Sequence, residues 1–196
     1  MKTKNIILIP LFFLALIVTP QYSAPNFDDI VLKGDRNLKI INMIYEKYPF
    51  MPAKKNYYAQ IEQSWIKSKA EYFTSSSQNR KEKFTQFLKT YETTNEVLKD
   101  ICIDMANYSD VITDDITQKL IETGTKQISV RHGKFYNRYV VSKNEFSRAE
   151  DSYKKKMYYY SARLYDHGIE VIMSIYKDAG WNFPKSKAAP AKEILS

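Results

Sequence analysis

Between Pro52 and Pro184 the chain contains no proline, and only Gly124, Gly133, Gly168 and Gly180 interrupt that span. This absence narrows the fold more than any motif does. A strand-rich domain reverses direction every 8–12 residues or so and draws on glycine and proline at its turns. Long helices need neither, and an interior proline would remove a backbone hydrogen bond and clash with the preceding turn. The expected fold class is therefore all-α, with about five helices in a single bundle-like domain.

Apolar spacing divides the chain accordingly. The first helix is expected from about Asp35 to Lys47, with Leu38, Ile41, Met43, Ile44 and Tyr48 on its apolar side. Pro52 suits the first position of the second, which continues through Ile61, Trp65 and Tyr72 to Phe73. The polar run 74–79 then breaks the chain. A third helix, about Arg80 to Asn107, carries Phe84, Phe87, Leu88, Tyr91, Leu98, Ile101, Cys102 and Met105 on one stripe. "SDVITDD" reads as another break, with Thr113 or Asp114 as a cap. The fourth helix is expected from Asp115 to Val141 and the fifth from Asn144 to Asp178. The β-branched and aromatic segment around 126–141 could be partly extended. Asp28-Asp29 and Asp114-Asp115 suit helix starts, where negative charge complements the dipole.

The chain begins with Lys2 and Lys4, an apolar run of 13 residues from Ile6 to Val18 interrupted only by Pro10, and a polar stretch ending at Ser23-Ala24. That order is the pattern of a secretory signal peptide, and the run is shorter than the roughly 20 residues that span a bilayer. Residues 1–24 are read as the signal peptide, 25–182 as the helical domain and 183–196 as a flexible C-terminal tail. Tyr22 and Pro25 flank the cleavage site poorly, so an uncleaved N-terminal membrane anchor stands as the alternative to a free periplasmic protein. Without Lys2 and Lys4 the net charge of +8 becomes +6, which suits anionic envelope surfaces or an acidic partner. Export argues against nucleic acid. Cys102 is the single cysteine; it cannot close a disulfide within the chain, and its apolar surroundings in "LKDICIDM" read as a buried position.

On a helical wheel at about 100° per residue, Tyr153, Met157, Tyr160, Leu164, Gly168, Val171 and Ile175 of the fifth helix form one stripe, read as core. Tyr158, Tyr165, Ile169, Ile172 and Tyr176 form a second beside it. Together they cover about half the cylinder, wider than a simple surface helix requires. Either both stripes face neighbours within the domain or the second is a protein interface, which tyrosine favours by adding apolar area with a polar tip.

Catalytic signatures are scarce. "ISVRHGKFYN", 128–137, resembles the Arg-His-Gly signature of histidine phosphatases, but it lies deep in the chain and Lys134 follows where that family has Glu or Gln. With two histidines and one cysteine, a Cys/His metal centre is not expected. No His-Glu-x-x-His pair, phosphate loop or nucleophile elbow occurs. The chain is expected to have no catalytic, cofactor or metal site and not to be an enzyme.

The signal peptide, size, Lys/Tyr/Asn-rich composition and the aromatic run "KKMYYYSARLYDHGIEVIMSIY" are similar to the exported helical proteins of spirochaetes, of the flagellar-coiling and flagellar-sheath type. The resemblance implies a periplasmic structural protein of the motility apparatus, partnered by flagellar filament or sheath proteins. The alternative is a periplasmic binding or adaptor module for a small ligand or an anionic envelope polymer. For the compartment, mass spectrometry of native protein is expected to find a new N-terminus near Pro25; an intact Met1 on a membrane-bound chain would establish the anchor instead.

Overall fold

Helix α3, Arg80–Gly124, runs for 45 residues, about 68 Å at the usual rise of 1.5 Å per residue, and the other helices are laid along it. The computed structural model describes residues 26–48, 55–124 and 130–184. Among them are α1 (Phe27–Lys47), α2 (Lys55–Thr74), α3, α4 (Val130–Lys154) and α5 (Tyr158–Ala179), with no strand. The all-α expectation holds, as does the polar break between the second and third helices. The expected signal peptide, Pro52 and most of the C-terminal tail lie outside the described residues.

α1 begins earlier than expected. Asn26 caps it by accepting from the Asp28 N–H at 3.4 Å, and Asp28 and Asp29 occupy its first turn, where their charge is favourable. α1 runs in the same direction as α3: Phe27 meets Phe84 and Phe87, and ten residues on, Asn37 donates to Thr94 Oγ1 at 3.0 Å and Asn95 Oδ1 at 2.8 Å. Asn37 and Thr94 are buried, so this bond sets the register of the two helices. α2 returns antiparallel. Trp65 lies across Gly34, where an added Cβ would overlap the indole ring; only a glycine lets the two helices come this close. Stacked Phe27 and Tyr72, with Phe87 against Trp65, close that end of the molecule.

The expected break at "SDVITDD" does not occur, because α3 passes straight through it. Ile101, Met105, Tyr108, Ile112, Ile116 and Leu120 continue one buried stripe at helical spacing. Ser109 and Thr117 turn their hydroxyls back onto the Ala106 and Thr113 carbonyls, at 2.8 and 2.6 Å, a bond that leaves the helix intact. Asp114 and Asp115 are consequently mid-helix and cap nothing. The segment 130–141 is helical as well, so its β-branched residues are overridden by packing.

The largest correction concerns the expected fifth helix. The chain turns within it. α4 ends at Lys154 and α5 starts at Tyr158. Lys156 adopts the left-handed conformation, with φ 58°, while its N–H bonds the Tyr153 carbonyl at 2.8 Å and the Met157 N–H bonds the Ser152 carbonyl at 2.9 Å. These two bonds are a Schellman closure, usually built on glycine. The same closure ends α5, with Gly180 at φ 73° and Trp181 N–H on the Tyr176 carbonyl at 3.0 Å. α4 and α5 therefore form an antiparallel hairpin. Ser161 Oγ donates to the Ala149 carbonyl at 2.9 Å, Phe146 sits against Gly168, and Arg138 pairs with Asp178 at 2.6 Å. α5 runs along α3 in the same direction, from Tyr158 near Cys102 to Tyr176 near Asp115.

The two expected stripes of the wheel largely exchange places, because the side of α5 carrying Tyr165 and Tyr176 is the one that meets Phe146 of α4 and Asp115 of α3. Tyr165, Ile169, Ile172 and Tyr176, expected to face a partner, are buried within the chain, and Tyr158 is half-buried. Met157 and Tyr160, expected in the core, are 43% and 56% exposed, while Tyr153 and Leu164 are half-buried. Ile175 and Gly168 remain inside. Mutation should read this directly. Ile172→Ala is expected to lower unfolding free energy by about 2–5 kcal/mol through the cavity it leaves, and Tyr160→Ala to change it by no more than about 0.5 kcal/mol, in denaturant titrations. Equal losses would place Tyr160 in the core after all.

Candidate functional site: a basic, tyrosine-lined pocket

The turn between α4 and α5 lies against the exposed side of α1, and a pocket of about 340 Å³ opens between them. α1 contributes Lys33 and Arg36, three residues apart and so neighbours on one face. Lys156 enters from the turn. All three are solvent-exposed, and among the described residues none of them makes an ion pair. The walls come from Tyr91 and Asn95 of α3 and from Tyr158, Tyr159 and Tyr160. The Tyr159 and Tyr160 rings stand nearly perpendicular, 86° apart with centroids at 5.4 Å, and Tyr158 rests against Tyr153 at 5.4 Å.

No carboxylate lines the pocket. Three positive charges lie there with phenol and amide groups among them: such cations attract an anion, and phenols can donate hydrogen bonds to it. Lys156 is held there by a left-handed backbone that a non-glycine residue adopts only under constraint, a condition found disproportionately at functional sites. Asn37 also reaches the pocket, its amide donors engaged by Thr94 and Asn95, so the α1–α3 register positions Lys33 and Arg36 on the rim.

Of the five residues expected at an interface, the structure brings Tyr158 to this pocket and places the other four in the core. Sequence reasoning did not single out Lys33, Arg36 or Asn95, and it placed Tyr91 on the apolar stripe of the third helix. Their only local signal is an exposed basic pair on α1; the pocket joins residues some 120 positions apart in the chain.

The buried polar groups elsewhere are structural. Where α1 meets α5, Asp166 Oδ1 accepts from the Tyr48 hydroxyl at 2.8 Å and from Lys47 Nζ at 2.5 Å, and Lys47 also pairs with Glu170. On α3, Asp115 accepts from Lys119 at 2.6 Å and from the Tyr176 hydroxyl. The Tyr165 hydroxyl is buried without a hydrogen-bond partner among the described residues. Cys102 is buried, as its sequence context suggested, with Sγ 3.4 Å from the Tyr158 carbonyl oxygen; burial pushes its thiol up to about 12. Among the described residues no group of acidic, His or Cys side chains is arranged to hold a metal ion, and no helix is long and apolar enough to cross a membrane.

These buried groups set the response to alkali. Burial foremost, then the hydrogen bond to Asp166, raises the Tyr48 pKa well above its ordinary value; burial likewise raises Tyr165 and, with the Asp115 bond, Tyr176. A raised folded-state pKa means that the unfolded chain loses its protons first. The stability these groups contribute is full below their unfolded values and falls as pH rises through the folded ones. Urea midpoints are therefore expected to decline from about pH 8.5–10, where unfolded cysteine and tyrosine ionise, and to keep declining to pH 12. A midpoint unchanged between pH 8 and 11.5 would contradict this burial. No protein-family model, curated protein or solved structure matches the chain, so the chemistry of the pocket carries the functional reading.

Proposed function

We propose that the protein is an exported, non-catalytic binding module that takes the anionic groups of an envelope polymer into the pocket formed by Lys33, Arg36 and Lys156. One observation carries this reading: three cations, none of them in an ion pair among the described residues, converge beside four tyrosines with no carboxylate between them. Uncompensated positive charge in a concave site draws counter-ions and raises the local concentration of an anionic ligand. The signal-like segment 1–24 and the basic net charge support an envelope location.

A second reading, assembly with other proteins such as those of a flagellar sheath, is favoured by a different place. Ile66 and Phe73 stand about 60% exposed on α2 beside an open groove of about 540 Å³ between α1 and α2. The tyrosine stripe no longer supports that reading, since most of it is internal.

Calorimetric titration with galacturonate, a carboxylated sugar, separates the two readings when paired with cross-linking in native envelopes. Under the first reading galacturonate binds, neutral galactose does not, and Arg36→Gln weakens binding about tenfold, as loss of a charge-assisted hydrogen bond of about 1.5 kcal/mol would. The reading fails if galacturonate and a phosphorylated sugar both leave the protein unbound. A cross-linked protein partner lost with Phe73→Asp would then establish assembly.

A further inference from the structure

The pocket does not end at the turn. A second cleft, of about 510 Å³, opens on the far side of it, between α4 and α5. Its cationic lining is Arg148, Lys155 and Arg163, with His167 beside them. Two carboxylates also reach it, Glu145 and Asp151. Glu145 is engaged by Arg148 at 3.0 Å and lies 3.8 Å from His167 Nδ1. Lys155 and Arg163 make no ion pair among the described residues and are exposed. Met157 and Tyr160 line both clefts, so these two exposed side chains are the ridge between them.

We propose that the two clefts form one track for a linear polyanion, a sugar polymer bearing a carboxylate or phosphate on successive units, which crosses the ridge over Tyr160. The inference rests on the anion-pocket reading above and deepens it by naming the ligand's form. A small anion is served by the first pocket alone and gains nothing from the second cleft. Two net-positive clefts sharing a ridge instead suit charges repeated along a chain. Once the first unit is seated in the pocket, later units meet Lys155 and Arg163 at high effective concentration, and affinity multiplies without any new kind of contact. The exposed Tyr160 ring offers a flat face at the crossing, with the Tyr159 ring nearly perpendicular beside it.

The test compares chain lengths. Galacturonate dimer and decamer, and polyphosphates of matching lengths, are titrated into the full protein and into the double variant Lys155→Gln, Arg163→Gln, whose two positions are exposed and whose thermal melt checks the fold. The decamer is expected to bind wild type about tenfold or more tighter than the dimer, and the double variant to remove that advantage while leaving dimer affinity unchanged. Length dependence with galacturonate identifies a carboxylated polymer, and with polyphosphate alone a phosphate-bearing one; either supports the track. Equal affinities for dimer and decamer, or a decamer indifferent to the double variant, overturn the track while the pocket reading stands on its dimer binding. No binding of any probe overturns both. Oligo(dT) of ten nucleotides held tighter than either decamer overturns the sugar-polymer assignment.

Discussion

The fold depends on one continuous buried stripe along α3. Phe87, Val97, Leu98, Ile101, Met105, Ile112 and Ile116 are all removed from solvent, at spacings that keep them on one side of 45 residues of helix. An isolated helix is marginal in water however favourable its residues, and its persistence depends on burial of its apolar face. Here the burial comes from two pairs of helices at different heights. α1 and α2 cover the first half of α3, α4 and α5 cover the second, and α1 meets α5 in the middle through Tyr48, Lys47 and Asp166. Without that join the two halves would share only a single helix.

The same arrangement makes the site. A parallel α1, α3 and α5 bring the start of α5, and so the turn before it, alongside Lys33 and Arg36. Lys156 takes a backbone conformation that costs a non-glycine residue on the order of 1 kcal/mol, and the closure is retained by the hairpin packing on either side. Of the three lysines that begin "KKKMYYY", Lys154 ends α4, while Lys155 and Lys156 sit in the turn and line two adjoining clefts. The tyrosines that follow divide between core and rim according to the phase of a helix that starts at Tyr158. Tyr165 and Tyr176 are interior, while Tyr158 and Tyr159 are intermediate and Tyr160 is exposed.

Helical content, the break at 74–79, the buried state of Cys102 and the role of Asp28-Asp29 at a helix start are all local properties. They follow from proline and glycine placement, polar runs and charge near a helix end, and the sequence by itself determined them. The continuation of α3 through "SDVITDD" was decided by tertiary structure, because Ile112 and Ile116 are held by other helices and outweigh the capping tendency of Ser, Thr and Asp. So was the turn at 155–157: lysines are good helix formers, nothing local distinguishes Lys156 from its neighbours, and only the hairpin's packing selects the reversal there. That reversal folded α5 back along α4, and packing against α3 and α4 then chose which of its faces was buried, which is why the wheel assigned the tyrosine faces wrongly. The pocket, finally, is built from α1, α3 and the turn, and the meeting of residues so far apart along the chain is a consequence of helix packing that no local pattern encodes.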